Sequence, residues 1–183
     1  NIMKQESTKT TIYILGIISQ YGQMHGYRLK QIIDQEIADF AKIKLANIYY
    51  QLNKMVERGY LTEQNLQKDN KEVKTYQITD KGRSILALKL VQVAEQEQEF
   101  EFLFDSVLYL REHIDQGQLK KVIENKIASL EQMIGFMEDH QQKTLDDIEA
   151  QSRIYADLIF QHHLTHYQAE LKWLKTVNTE LIH

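Results

Sequence analysis

The 183-residue chain has no cysteine. That excludes a disulfide framework and any cysteine-based zinc or redox centre, and it fits a reducing cytoplasm. It has no proline either, although average usage of about 5% would place about nine in a chain of this length. With only seven glycines as well, it has few helix breakers, which favours long helices. No apolar run approaches the roughly 18 residues of a membrane span, and Asn1–Lys9 lacks the apolar stretch of a secretory leader, so no membrane association is expected. A P-loop, GxGxxG and GxSxG are all missing. No catalytic residue, cofactor or enzymatic activity is therefore expected.

What is present is enough apolar material, 43% of residues, for a packed core, and an uneven distribution of charge. The net charge of −4 divides into 13 basic and 9 acidic residues over 1–88, net +4, against 9 and 17 over 89–183, net −8. A nucleic-acid reader joined to a module of another kind shows such a split, although +4 is modest and ordinary scatter produces it too.

Periodicity gives the organisation. Ile14, Leu15, Ile17, Ile18 and Tyr21 mark a short buried helix over 12–21 that Gly22 ends. A second helix starts near Gly26 with Leu29, Ile32, Ile33 and Ile37 on one face. A third runs from about Leu45 to Arg58 on Leu45, Ile48, Leu52, Met55 and Val56, and Gly59 closes it. The period then changes. Tyr60–Thr62 reads as a short strand, Gln64–Lys71 as a polar turn, and Val73–Ile78 as a second strand. Thr79 is placed to cap a further helix, with Asp80 at its positive end. Three short helices, a hairpin and another helix make a winged helix-turn-helix, with the third helix as recognition helix and the hairpin as wing. The chain is thus expected to be mainly helical, with domains at 1–88 and 89–183.

The second domain reads as all-helical. One face is traced by Phe100, Leu103, Phe104, Val107, Leu108 and Ile114, a second helix by Leu119, Ile123, Ile127, Leu130, Ile134 and Met137, and a long last one from Ile154 to Leu181. A helix of more than 25 residues is about 40 Å long, too long to bury its apolar stripe within so small a subunit. This predicts a symmetric dimer, against the simpler reading of a monomeric three-helix bundle.

Several segments of 1–88 resemble the PadR-like transcriptional regulators: Ile14-Leu15-Gly16-Ile17-Ile18, Met24-His25-Gly26-Tyr27-Arg28-Leu29, Asn47-Ile48-Tyr49-Tyr50-Gln51-Leu52, Glu57-Arg58-Gly59-Tyr60-Leu61 and Lys74 to Gly82. They cover about 70 residues. In the second domain, Glu99-Phe100 and Glu170-Leu171-Lys172-Trp173-Leu174 resemble the start and close of the C-terminal domain in the family's longer-tailed branch. The chain departs from the family at two points. Lys44-Leu45-Ala46 stands where a Pro-Gly usually precedes the recognition helix, and Tyr50 stands where a proline usually follows the tyrosine.

The resemblance implies a homodimeric repressor bound to double-stranded, pseudo-palindromic operator DNA and released by a small aromatic effector. The alternative is a winged helix used for protein–protein interaction. For DNA, Lys42 and Lys44 precede the recognition helix, where phosphate would approach. Asn47, on its first turn, either pairs with adenine or caps the helix. The resemblance makes Tyr49 a phosphate or sugar contact, with a core role as the competing reading for it and for Tyr50. Gln51 and Lys54 continue the polar face. Lys68, Lys71 and Lys74 belong to the wing, and Tyr76 in the same strand is counted with them. For the effector, Phe104, Phe160, His163, Tyr167 and Trp173 either line a pocket or serve as core and dimer contacts. His162 and His166 have a spacing that can place two imidazoles on one metal, but no HExxH pattern and no third ligand accompany them, so no metal site is expected.

Overall fold

The computed structural model describes residues 2–37, 45–68, 71–97 and 100–181; the side chains of 2–7, 45–47, 68 and 71 are outside that description. The chain divides into two compact units, 1–99 and 100–183. Among the described residues no helix is long and apolar enough to cross a membrane.

The first unit runs α1 (Ile2–Tyr21), β1 (Met24–His25), α2 (Gly26–Ile32), a π-helical turn (Ile33–Ile37), α3 (Leu45–Glu57), β2 (Leu61–Lys68), β3 (Lys71–Ile78) and α4 (Asp80–Ala94). Its core gathers one face from each helix: Ile14, Leu15 and Ile18 of α1, Leu29 and Ile32 of α2, and Ile48, Leu52 and Met55 of α3, closed by Leu61, Tyr76 and Ile78 of the hairpin. Each such aliphatic side chain contributes about 1.5–3 kcal/mol on burial, so these residues dominate the stability of the unit.

Local signals set the ends of the helices. Gly22 and Gly59 take the left-handed conformation, with φ of 81° and 71°. At Gly59 the backbone closes a Schellman motif, in which Tyr60 N–H donates to the Met55 carbonyl at 2.8 Å and Gly59 N–H to that of Val56 at 2.9 Å. His25 caps α2 by accepting from Arg28 N–H at 3.0 Å. Thr79 caps α4 as expected, accepting from Gly82 N–H at 3.0 Å, and its hydroxyl donates to the Gly59 carbonyl at 2.7 Å. Lys81 Nζ donates to the Arg58 carbonyl at 2.8 Å. The end of α3 is thereby tied to the start of α4.

The sheet order is β1-β3-β2, antiparallel throughout. It differs from the sequence expectation in three ways. β2 continues through the stretch expected as a turn and pairs over its full length, Leu61 with Ile78 through to Lys68 with Lys71. The two-residue strand β1 pairs Met24 with Tyr76 and His25 with Thr75. The boundary expected after residue 88 falls inside α4, which runs to Ala94.

The second unit contains α5 (Phe104–Tyr109), a 3₁₀ turn (Arg111–His113), α6 (Gln116–Asp147) and α7 (Ala150–Leu181). Asp115 begins α6 by accepting from Gln118 N–H at 2.9 Å. α6 and α7, each 32 residues, pack antiparallel. The pairing is marked by Gln141 donating to Asp157 at 2.6 Å near the turn and by Lys175 against Glu131 at 2.6 Å further along. Leu119, Ile123 and Val177 form one buried cluster, with Phe104, Val107, Leu108 and Trp173 packed against it.

Candidate nucleic-acid interface

α3 is amphipathic. Ile48, Leu52 and Met55 are buried, while Tyr49, Tyr50, Asn53 and Glu57 are exposed. At 3.6 residues per turn, the direction opposite the buried stripe runs between Asn53, Tyr50 and Lys54. Tyr50 is 55% exposed, which excludes the core role considered for it. Its ring instead lies under the ammonium of Lys54, 4.4 Å from the ring centroid. That contact holds the Lys54 head over α3. Gln51 is half-buried at one edge of the face.

At the other edge Tyr49 lies against α2. A Cβ built on Gly26 would meet the Tyr49 ring at 2.7 Å, so the glycine of the His-Gly-Tyr segment is what lets the ring pack there. Tyr49, Lys74 and Tyr76 line one cleft of about 410 Å³ together with His25, Tyr27 and Asn53. Three of the expected interface residues therefore converge from two elements far apart in sequence.

Their environments differ. Lys74 is exposed and paired with Glu63 across the hairpin at 2.8 Å, and that carboxylate raises its ammonium pKa. Tyr76 is 4% exposed and belongs to the core cluster; burial raises its phenol pKa, with the nearby Glu63 charge adding to the effect. The expectation for Tyr76 is corrected accordingly: it is a buried wall of the cleft, because its strand position faces the core. The root of the wing is braced by Gln23, which donates to Thr75 Oγ1 at 2.8 Å, and by Thr75, which donates to the Gln64 carbonyl at 3.1 Å.

Lys42 and Lys44 lie outside the described residues, and so do the side chains of Asn47, Lys68 and Lys71. The backbone places Asn47 on the first turn of α3, and Lys68 and Lys71 as the last register pair of the wing. Asn53 and Tyr27 join the cleft without belonging to the residues expected there. Asn53 was detectable in principle, since it lies off the apolar stripe of α3. The exposure of Tyr27 depends on the turn into α2, which periodicity does not report.

The model of the transcriptional regulator PadR-like family matches residues 14–88. The match covers the first unit of the chain from α1 into α4. Among curated proteins there is no match. Solved structures similar to this chain include Bacillus subtilis PadR in complex with operator DNA, at TM-score 0.75 and 18% identity over 93% of this chain and 98% of that one. The same protein in complex with p-coumaric acid is similar at TM-score 0.76 and 17% identity, over 96% and 97%. The Vibrio cholerae virulence activator AphA is similar at TM-score 0.72 and 20% identity, over 94% and 97%. The fold of those structures extends over both units of this chain.

The five residues expected around an effector do not form one group. Phe104 and Trp173 meet edge to face, with centroids 5.6 Å apart. Phe160 packs edge to face with His140 at 5.3 Å, and His163 lies 6.5 Å from Tyr167. Trp173 is 13 residues beyond Phe160, about 20 Å along α7, and on a different face. A single small aromatic molecule cannot touch both. Two clefts in this unit, of about 520 and 260 Å³, contain none of the five. Phe160 is buried within the helical hairpin.

Proposed function

We propose that this chain is a homodimeric, cytoplasmic repressor that binds a pseudo-palindromic operator and is released by a small-molecule effector. The observation that carries the DNA-binding part is the face formed by α3 and the wing. Asn53, Tyr50 and Lys54 point away from the core, and the cleft beside them joins Tyr49 of the helix to Lys74 of the hairpin. Hydrogen-bonding side chains on a helix that fits the major groove, flanked by cations, are the elements of base readout and phosphate anchoring. Lys42, Lys44, Asn47, Gln51, Lys68 and Lys71 would extend the same surface. A similar structure, that of B. subtilis PadR, holds operator DNA.

The dimer is supported by apolar surface on the second unit. Ile154, Tyr155, Leu158 and Ile159 are all exposed on the first turns of α7, and Phe136 and Met133 on α6. Contiguous apolar surface of this kind marks an interface, and a two-fold dimer presents two reading heads to two half-sites. An effector would act by binding two arrangements of those heads unequally. The p-coumaric acid complex of B. subtilis PadR supports an aromatic acid as its class.

A gel shift with the promoter fragment of the chain's own operon, against a scrambled fragment of equal length, tests this reading. A repressor retards the promoter fragment at lower protein concentration, and its transcript level rises when the gene is deleted. Equal retardation of both fragments contradicts operator recognition. A fall in transcript on deletion makes the protein an activator.

A further inference from the structure

On α7, His162 and His166 meet edge to face one turn apart, with centroids 4.8 Å apart and their Nε2 atoms 3.2 Å from one another. Both side chains are exposed. The i, i+4 spacing alone says only that two imidazoles share a helix face. The distance says more. Two metal–nitrogen bonds of about 2.0–2.1 Å at a tetrahedral angle separate their nitrogens by about 3.3 Å. The separation of the two nitrogens therefore matches that of two ligands on one ion. In the metal-free pair one Nε2–H can donate to the other nitrogen; when that ring's proton sits on Nδ1 instead, both Nε2 lone pairs are open to a cation.

The surroundings hold this arrangement. The His166 ring packs against Phe100 with centroids 5.9 Å apart, and the His162 ring lies edge-on to His163 at 5.7 Å. Among the described residues no third histidine, cysteine, aspartate or glutamate joins the pair. The remaining coordination positions are left to water, which makes an open, exchangeable site rather than a closed structural one.

We propose that His162 and His166 form a two-histidine site on α7 for a borderline divalent transition cation. Imidazole pairs favour Cu²⁺ over Ni²⁺ and Zn²⁺, while Mg²⁺ requires oxygen ligands. The proposal does not depend on DNA binding.

Calorimetric titration of the full chain with Ni²⁺ tests it, with Cu²⁺ and Mg²⁺ in parallel. The expected result is saturable Ni²⁺ binding, tighter Cu²⁺ binding and no Mg²⁺ binding. His162→Gln and His166→Gln should each weaken Ni²⁺ binding by about tenfold or more, the scale on which lost metal-site interactions register. His113→Gln, which removes a lone exposed histidine, should leave it unchanged. Helix content by circular dichroism should be the same in all variants, because both histidines are on a solvent face. Absence of saturable binding, or equal binding by the wild type and the His162→Gln/His166→Gln double variant, overturns the proposal and leaves the pair bridged by a proton alone.

Discussion

Lys74 and Glu63 show how one ion pair sets the charge that the wing offers. The Lys74 ammonium is exposed but paired across the hairpin, and Glu63 raises its pKa. A phosphate must compete with that carboxylate. Glu63→Gln should therefore raise affinity for any duplex severalfold, whereas Lys74→Ala should lower it and reduce the salt slope by about one unit. Both are read from anisotropy titrations at several salt concentrations. Tyr21 illustrates a second residue-scale effect. Its hydroxyl donates to Glu36 at 2.6 Å, tying the end of α1 to the π-helical turn, and that bond, with burial adding to it, raises its pKa from 10.0 to about 12. A raised folded value means the protonated phenol stabilises the fold. The contribution is complete below about pH 10 and is lost as pH rises through about 12. Glu36→Gln should move one tyrosine to an earlier alkaline titration, as seen in phenolate absorbance.

The junction of α3, the wing and α4 concentrates the constraints on how the elements meet. A Cβ on Gly82 would lie 2.2 Å from the Tyr60 carbonyl oxygen, a backbone atom that cannot rotate away. Gly82→Ala should destabilise the first unit by about 1–3 kcal/mol through overpacking, read from its urea midpoint. Thr79→Ala, which removes the cap, should cost about 1 kcal/mol. This junction was legible in the sequence because Gly59, Thr79 and Asp80 act locally. The recognition helix was legible because Ile48, Leu52 and Met55 repeat at helical spacing. The outer half of β2 was not, since Gln64–Lys68 is polar: those residues are held by cross-strand hydrogen bonds at a wing with little to bury. β1 was missed because its partners, Tyr76 and Thr75, are some fifty residues away. The burial of Tyr76 is not legible in the sequence, because a loosely alternating strand does not declare which face is buried. Asn53 is the corresponding gain. Asn53→Ala should relax sequence preference, weakening promoter DNA more than random DNA by about 1–3 kcal/mol if the amide reads a base.

At the scale of the whole molecule, the basic segment 1–88 and the acidic segment 89–183 fall largely in separate compact units. The effector set was the least legible part. Aromatic residues at helical spacing look alike whether they line a pocket or pack between helices, and here Phe160 and the Phe104–Trp173 pair pack in separate groups. The exposed apolar start of α7 carries the dimer proposal. Leu158→Asp combined with Ile154→Asp should shift the mass in light scattering from two chains to one and weaken operator binding, with the helical content unchanged. The central claim, that the α3 and wing face grips duplex DNA, is tested most directly by the salt dependence of binding to the chain's own promoter. The logarithm of the association constant should fall linearly with the logarithm of salt concentration, by about 0.9 for each phosphate neutralised, and Lys74→Ala should make the line shallower. A flat line, or a slope that Lys74→Ala leaves unchanged, would contradict it.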